Sequence, residues 1–499
     1  MQTAIYSNFN TGLSLSDRNT PEGTYCEGRE IDISNFPGYL SSGYPAVAIT
    51  APSGGLEQVF DICPDTGTAN IYFIGSTKIW QMTNVINDSW AANFDGSSHA
   101  YYVVPNMTQG SKLLIYSSMV SSTIIPRLFY TYNTASNGYL GFYNLTGTPP
   151  TNDTFQTLND KSAPHDMVEW QSVLWIADGQ YVNKFDGRVT TDGTYTTQAL
   201  DLGNGWQITK LITNDNYLLI CAWRKSTTTN NTISRIFYWD GNSQTYNYSV
   251  NISDNKIVTA INNNNEILVV TEGRQLMSVV RRLNSSGNFD VVKNMVTPVA
   301  GSNVKFVGVN QNAIGIANNR IIIGSNYLVW SLGQDDSSSP YSVCIPWGFT
   351  TPVVSGIISS IKLTGLYDKI YIGFSSYDGN STTYYILKVL YDLSGSTRAT
   401  YRGNYTDLPQ KGVANYVKFY FQKLVSGDSA TVSVDTDYGT SNSIQQDTGI
   451  ISFALDGAVT FKKFDLNQIE CHAFRPVVGF TGGSVKISKI VFGYDIIND

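Results

Sequence analysis

Short apolar, β-branched runs of strand length recur along most of the chain, separated by polar turns. One unit comprises residues 208–212, 218–220 and 236–239, and it ends at the pair Asp240-Gly241. Equivalent runs begin near residues 168, 208, 257, 304 and 357, at intervals of about 40 to 53 residues. This interval is typical of four-stranded propeller blades and not of helical solenoids.

Two earlier units complete the series, one around residues 71–74 and 79–80 and one around 113–116 and 128–130. Together the units predict a β-propeller of about seven blades. The alternation of apolar and polar positions is imperfect, as expected for inner strands that are packed on both faces. A set of stacked β-sandwiches is the alternative, and the regular interval favours the propeller.

The pattern changes after residues 409–412, where the aromatic segment with its Asp-Gly ending is no longer found. Six short strands are predicted in roughly 90 residues, which indicates a β-sandwich of jelly-roll type: 416–421, 430–434, 450–455, 459–464, 473–478 and 485–492. The prediction is therefore an all-β chain with an extended N-terminal segment (1–45), a propeller (46–408) and a sandwich (409–499).

Composition narrows the functional classes. Hydrophobic residues make up 42% of the 499 residues, which is enough for a large core and excludes a disordered chain. Charged residues are only 14%, and the net charge is −7. Because nucleic-acid binding needs clustered Lys and Arg, it is not expected to be the main activity.

The chain lacks the signals of export and membrane insertion. The first eight residues contain neither a basic nor an apolar signal region, and no apolar run approaches the roughly 18 residues that cross a bilayer. The five cysteines are scattered and contain no Cys-x-x-Cys pair, which favours buried free thiols over disulfides: Cys26, Cys63, Cys221, Cys344 and Cys471.

Metal and cofactor motifs are also missing. His99, His165 and His472 are far apart in sequence, whereas a zinc site needs several nitrogen or sulfur ligands together. Asp435 and Asp437 resemble the start of a calcium loop, but position twelve is Gln446 instead of a bidentate Glu. No metal site, no cofactor and no cofactor-binding residue is therefore predicted.

Glycosidase propellers direct paired carboxylates into the central channel, so the acidic residues need separate attention. Most of the conspicuous Asp residues fall in predicted turns, where Asp is a turn former: Asp186, Asp240, Asp335, Asp336 and Asp378. Glu169 and Glu266 lie in or beside strands, but the sequence does not show whether their carboxylates meet at one point. No catalytic residue is predicted, and a propeller glycoside hydrolase remains an open alternative.

The two ends of the chain resemble β-propeller virion proteins of tailed bacteriophages, namely the nozzle or hub (tail tubular) proteins and the packaged-DNA stabilisation proteins. The opening carries this likeness in Asn-Phe-Asn-Thr-Gly-Leu (8–13), Pro-Glu-Gly-Thr (21–24), Glu-Gly-Arg-Glu-Ile-Asp-Ile (27–33) and Pro-Gly-Tyr-Leu (37–40). The closing part carries it in Val-Asp-Thr-Asp-Tyr-Gly (434–439) and Ile-Ser-Lys-Ile-Val-Phe-Gly-Tyr (487–494).

The resemblance implies a non-enzymatic structural protein of the virion tail, assembled in the host cytoplasm. It implies a homo-oligomeric nozzle or hub ring that lines or closes the DNA exit path and contacts portal or adaptor proteins and tail fibres or spikes. Genomic DNA would pass without sequence-specific binding. A receptor-binding or glycan-binding tail protein is the other open alternative, since exposed Trp and Tyr can stack on sugar rings.

Overall fold

The computed structural model describes most of the chain, and all structural statements below concern that part. The described residues are 2–9, 12–13, 24–33, 38–84, 87–96, 98–120, 123–146, 151–161, 164–188, 193–225, 232–252, 254, 256–264, 266–272, 278–284, 286–295, 308–317, 319–326, 328–334, 341–349, 355–364, 369–389, 399–437, 446–483 and 485–497. They contain 41 strands and one four-residue helix. The predicted all-β class is confirmed.

Six short strands precede the first blade. They are β1 (Gln2–Ser7), β2 (Gly12–Leu13), β3 (Thr24–Arg29), β4 (Ile31–Asp32), β5 (Ser41–Ser42) and β6 (Pro45–Ala48).

The next strands form antiparallel sheets of four strands, with one extra strand in the first. Blade 1 holds β7 (Asp61–Pro64), β8 (Ile71–Ile74), β9 (Lys78–Asn84), β10 (Ser89–Trp90) and β11 (Tyr101–Val103). Blade 2 holds β12 (Gln109–Val120), β13 (Thr123–Asn133), β14 (Gly138–Asn144) and β15 (Thr151–Leu158). Blade 3 holds β16 (Met167–Trp170), β17 (Val173–Asp178), β18 (Tyr181–Asp186) and β19 (Thr194–Asp201).

The remaining blades continue this order. Blade 4 holds β20 (Gln207–Thr213), β21 (Leu218–Lys225), β22 (Thr232–Trp239) and β23 (Tyr248–Ile252). Blade 5 holds β24 (Lys256–Asn263), β25 (Glu266–Glu272), β26 (Ser278–Leu283) and β27 (Phe289–Met295). Blade 6 holds β28 (Val309–Ala317), β29 (Arg320–Ser325), β30 (Leu328–Gly333) and β31 (Ser342–Cys344), and β32 (Gly348–Phe349) follows it. Blade 7 holds β33 (Ser355–Thr364), β34 (Lys369–Tyr377) and β35 (Thr382–Val389).

The first strand of every blade faces one common cavity. Residues from β7, β12, β16, β20, β24, β28 and β33 all line it, so the seven sheets are arranged radially around an axis. The predicted propeller of about seven blades is therefore confirmed. The run at 304–307, which was expected to open a blade, lies outside the described residues, and the first described strand of that blade is β28.

The ring of blades is closed by a strand from the beginning of the chain. β6 pairs antiparallel with β35, with Leu387 opposite Ala48 and Val389 opposite Ala46. Blade 7 thus takes its fourth strand from the other end of the propeller. The approach to β6 is tight, because a Cβ on Gly43 would lie 1.5 Å from the carbonyl oxygen of Pro346.

Apolar side chains between neighbouring blades form the core of the propeller. The interface of blades 3 and 4 is an example, where the rings of Trp175 and Trp239 meet edge to face at 5.0 Å between centroids. Both indoles are buried almost completely. Each sheet therefore buries both of its faces, which explains why the alternation in the sequence is imperfect.

The C-terminal part forms two sheets that share one long strand. Its elements are β36 (Thr400–Gly403), β37 (Thr406–Phe421), β38 (Ser429–Thr436), β39 (Gln446–Ser452), α1 (Phe453–Asp456), β40 (Phe461–Gly482) and β41 (Ile487–Ile496). The first half of β40 pairs with β37, and its second half pairs with β38 and β36.

Two strand predictions in this region are wrong in detail. The run at 450–455 is strand only to Ser452, after which Phe453–Asp456 is the helix α1. The runs at 459–464 and 473–478 belong to one strand, β40, which crosses from one sheet to the other. A strand that changes sheets contains buried positions on alternating sides, and sequence periodicity reads this as two strands.

The N-terminal strands pack into the C-terminal sheets. β1 pairs antiparallel with β41, and β3 pairs with β36. The division at residues 45 and 408 stays a prediction. One apolar core joins these strands to the propeller, because it runs from Phe9 and Phe492 to Val270 of blade 5 and Trp330 of blade 6.

The four cysteine side chains that the structure describes, those of Cys63, Cys221, Cys344 and Cys471, are buried and unbridged, as predicted. Burial raises the pKa of each thiol, to about 11 for Cys63 and Cys344 and about 12 for Cys221 and Cys471. In the described part of the chain, no helix has the length and apolar character to cross a membrane.

Candidate functional site

The cavity on the propeller axis brings together charged side chains from several blades. Its volume is about 240 Å³, and its lining includes Asp61, Lys112, Lys210, Asn312 and Lys362. These residues come from five different blades, so only the closed ring places them together.

Two of the lysines occupy equivalent positions in blades 2 and 4. In β12 the pairing with β13 shifts between Gly110 and Lys112, and in β20 the pairing with β21 shifts between Ile208 and Lys210. A bulge of this kind redirects the side chain that follows it. As a result both lysines line the axial cavity.

Each of these lysines is paired with an aspartate from the preceding blade. Lys112 Nζ lies 3.1 Å from Asp61 Oδ2, and Lys210 Nζ lies 3.3 Å from Asp166 Oδ1. The same carboxylates accept backbone hydrogen bonds, from Leu113 N to Asp61 at 2.9 Å and from Leu211 N to Asp166 at 2.8 Å. Each aspartate therefore joins two blades, because it neutralises a lysine and satisfies a strand amide of the next blade.

Asn312 connects these pairs across the axis. Its Oδ1 accepts hydrogen bonds from Lys112 Nζ at 3.4 Å and Lys210 Nζ at 3.5 Å. Its Nδ2 donates to the carbonyls of Phe60 at 3.0 Å and Ser111 at 2.8 Å. One side chain from blade 6 thus contacts blades 1, 2 and 4 and narrows the centre of the propeller.

Lys362 of blade 7 differs from the other two lysines. Among the residues that the structure describes, no carboxylate forms an ion pair with it. It lies two residues after Ser360 on the same face of β33, and the hydroxyl of Ser360 donates to the carbonyl of Val59 at 3.2 Å. Of the three lysines that line the cavity, Lys362 is therefore the one without an ion-pair partner among the described residues.

The three lysines respond differently to this environment. Burial lowers the pKa of Lys210 and Lys362, and the neighbouring Lys112 lowers both further. Burial also acts against the charged form of Lys112, but Asp61 and Asp166 outweigh it, so the pKa of Lys112 is raised. The cavity thus favours the charged form of Lys112 and disfavours the charged forms of Lys210 and Lys362.

The three histidines lie in separate places and share no ligand. His165 is fully buried between blades 2 and 3, with Nδ1 3.0 Å from the carbonyl of Ala177 and Nε2 3.0 Å from Asn133 Oδ1. His99 Nδ1 contacts Asp95 at 2.6 Å on the surface. The backbone N–H of His472 donates to Asp437 at 2.7 Å.

The buried His165 leads to a pH prediction. Burial lowers its pKa, so the unfolded chain takes up a proton near pH 6.5 that the folded chain resists. Stability should therefore fall as pH decreases below about 6.5, by up to about 1.4 kcal/mol per pH unit until the folded-state pKa is reached. Denaturation at pH 7 and pH 5 should show this loss in the wild type, and His165→Gln should reduce it.

The acidic candidates also have local roles. Asp435 forms an ion pair with Arg475 at 3.0 Å, and Asp437 binds the backbone of His472. In the part of the chain that is described, no group of three or more His, Cys, Asp or Glu residues is arranged to hold a metal ion. Gln446 begins β39, and its side chain is outside the described set.

The carboxylates considered for catalysis are not brought to one point. Glu169 pairs with Arg188 at 3.1 Å in blade 3, and Glu266 pairs with Arg282 at 3.2 Å in blade 5 and accepts from Tyr341. The turn role of three Asp residues is confirmed by hydrogen bonds to following backbone amides, those of Asp186, Asp240 and Asp378. Asp335 and Asp336 lie outside the described residues.

Sequence reasoning missed the axial lysines and aspartates. A signal was present, because Ser111-Lys112-Leu113 and Thr209-Lys210-Leu211 are related triplets at equivalent points of two blades. A lysine within a run of apolar and β-branched residues is unusual, since buried lysines are rare unless they are paired.

No family model and no curated protein sequence matches this chain. Similar solved structures include Raptor from Chaetomium thermophilum, with a TM-score of 0.45 and 9% identity over 74% of this chain and 30% of that chain. They also include the Dos1 propeller, with a TM-score of 0.41 and 11% identity over 72% of this chain and 92% of that chain. This chain spans about 30% of the length of the Raptor chain. Structural similarity at these TM-scores and identities does not indicate a function.

Proposed function

We propose that this protein is a structural component of a bacteriophage tail, assembled as a symmetric ring around the DNA path, as a nozzle or hub. In this role it resides in the virion, is assembled in the host cytoplasm, and contacts portal or adaptor proteins and fibres or spikes. No enzymatic activity is proposed, because Glu169 and Glu266 are ion-paired in different blades.

The proposal is supported by the way in which the two chain ends meet. The motifs that resemble tail proteins lie at opposite ends of the sequence, yet β1 and β41 are neighbouring strands. The hydroxyl of Tyr6 lies 2.7 Å from that of Thr406, and the rings of Tyr6 and Phe492 meet at 5.9 Å. Within the motifs themselves, Leu40 and Ile487 form a β-bridge, and Phe9 and Ile33 share one apolar core with Val434 and Phe492. The two motif regions therefore belong to one packed unit.

The narrow propeller axis bears on where DNA would pass in such a ring. Asn312 spans the axis between blades 1, 2, 4 and 6, and the cavity beside it has a volume of only about 240 Å³. This leaves no room for a duplex within the propeller. In the proposed ring, the DNA path is lined by the outer surfaces of several copies.

An exposed apolar surface on the C-terminal part supplies an assembly contact. We call it the tip patch: Val425, Ile450, Phe453, Leu455, Val459 and Phe461, each between 40% and 69% exposed. Exposed apolar patches often mark protein interfaces. Lys418 lies at this patch, 4.0 Å from the ring centroid of Phe461.

Leu455→Asp should therefore prevent ring assembly without unfolding the chain. Leu455 is 69% exposed, so a charged side chain is tolerated in the monomer but not in an apolar interface. In phage that carry this change, we expect the protein to be depleted from purified virions at least tenfold and infectivity to fall with it. Mass spectrometry of the particles, with imaging of the tail, measures both.

Ile124→Asp is the matched control, because Ile124 is also exposed, at 56%, but lies on blade 2. It should be incorporated normally. Particles that lack the whole protein but keep DNA, a complete tail and full infectivity would contradict the function itself. Normal incorporation of Leu455→Asp would contradict only the tip patch. Truncation after residue 408 is not a useful test, because the C-terminal core continues into blades 5 and 6.

A further inference from the structure

The axial cavity contains an uncompensated positive charge. Three ammonium groups, of Lys112, Lys210 and Lys362, surround it, whereas within the described part of the chain only the two carboxylates of Asp61 and Asp166 face them. Both carboxylates are already engaged by a lysine and a backbone amide. A partly buried ammonium group without a carboxylate partner is unfavourable, so the cavity beside Lys362 favours an anion.

The cavity also holds an unsatisfied acceptor. Asn262 lines it and donates from Nδ2 to the carbonyl of Thr213 at 2.7 Å, while its Oδ1 is buried and has no hydrogen-bond partner among the described residues. A buried acceptor of this kind requires a donor. An anion that also carries an O–H group would satisfy both Lys362 and Asn262.

Size selects among such anions. The volume of about 240 Å³ is below the roughly 300–1,000 Å³ of pockets that bury drug-sized ligands. It accommodates a tetrahedral oxyanion with some of its water. Hydrogen phosphate has the charge and the O–H group, sulfate has the charge only, and a DNA phosphodiester has a single charge and no O–H group.

We propose that the axial cavity of the propeller is a binding site for one hydrogen phosphate ion, held by Lys362 with Lys112 and Lys210 and oriented by Asn262. The site joins blades 2, 4, 5 and 7 through a single ligand. This inference is independent of the tail function, because it depends only on the charges and the acceptor that line the cavity.

Isothermal titration with inorganic phosphate at constant ionic strength tests the site. We expect saturable one-to-one binding to the full-length protein, weaker binding of sulfate, and no competition from a short single-stranded oligonucleotide. Lys362→Met should weaken phosphate binding at least tenfold, since a hydrogen bond to a charged group contributes about 1.5–3 kcal/mol. Lys423→Met, which removes an exposed lysine of the C-terminal part, should bind as the wild type does.

Absence of saturable phosphate binding by the wild-type protein would overturn the proposal, whatever the variants do. Unchanged affinity in a folded Lys362→Met would overturn it as well. Lys362→Arg keeps the charge and should retain binding within about tenfold, which separates loss of charge from loss of fold. Equal affinity for sulfate and phosphate would contradict the role of Asn262.

Discussion

Asp166→Asn is expected to lower the free energy of unfolding by about 3–5 kcal/mol, because it leaves the buried ammonium group of Lys210 without its partner. Asp166 is 1% exposed and accepts hydrogen bonds from Lys210 and from the backbone of Leu211. The isosteric amide keeps the shape of the side chain but not its charge. Denaturant titration of the two proteins under the same conditions measures the difference.

The pH dependence of this difference identifies its cause. Burial lowers the pKa of Lys210 below its usual 10.5, and loss of Asp166 should lower it further. Between the folded and unfolded pKa values the unfolded chain binds more protons, so stability rises with pH. The deficit of Asp166→Asn relative to the wild type should therefore shrink as pH rises toward 10.5.

Two variants serve as controls for the Asp166 experiment. Adding Lys210→Met to Asp166→Asn removes the uncompensated charge, so the double variant should be more stable than Asp166→Asn alone. Glu169→Gln breaks the exposed ion pair with Arg188 in the same blade and should cost less than about 1 kcal/mol. If Asp166→Asn costs no more than Glu169→Gln, the axial pair does not support the propeller.

Phe492→Ala should destabilise the unit that joins the two chain ends by about 3–5 kcal/mol, the usual cost of removing a buried Phe. Phe492 is fully buried, stacks on Phe474 at 4.6 Å and contacts Tyr6 of β1. Since Phe492 lies in β41, the strand with which β1 pairs, limited proteolysis should also release the N-terminal strand faster than in the wild type.

The control for this variant is Phe453→Ala. Phe453 is 44% exposed in the tip patch, so its truncation should change stability by less than about 0.5 kcal/mol. Equal stability of the two variants, or unchanged proteolysis of Phe492→Ala, would show that the chain ends are not joined by this core.

Local patterns were sufficient for the β class, the propeller and the number of its blades. A strand of four to eight residues, a polar turn and the next strand form an antiparallel pair whose register depends on neighbouring residues. The Asp-Gly pairs are an example, because the carboxylates of Asp240 and Asp378 accept hydrogen bonds from backbone amides two and three residues later in the turn. Such contacts involve residues two or three apart, so they are visible in the sequence.

Contacts between distant residues were not visible. β6 closes blade 7 across some 340 residues, and β1 meets β41 across the whole chain. Backbone pairings of this kind depend on which sheet edge is free once the ring has formed, and sequence periodicity does not record this. The crossing of β40 between two sheets was hidden for the same reason.

By itself, the sequence determined most strands and turns, the blade interval and the burial of the described thiols, because each depends on residue type or short spacing. Only the tertiary structure decided that Asp61 and Asp166 reach the lysines of the following blades and that Lys362 has no such partner among the described residues. Each blade contributes between one and four residues to the lining of the axial cavity. The charged side chains therefore interact only when closure of the ring brings all seven inner strands around one cavity.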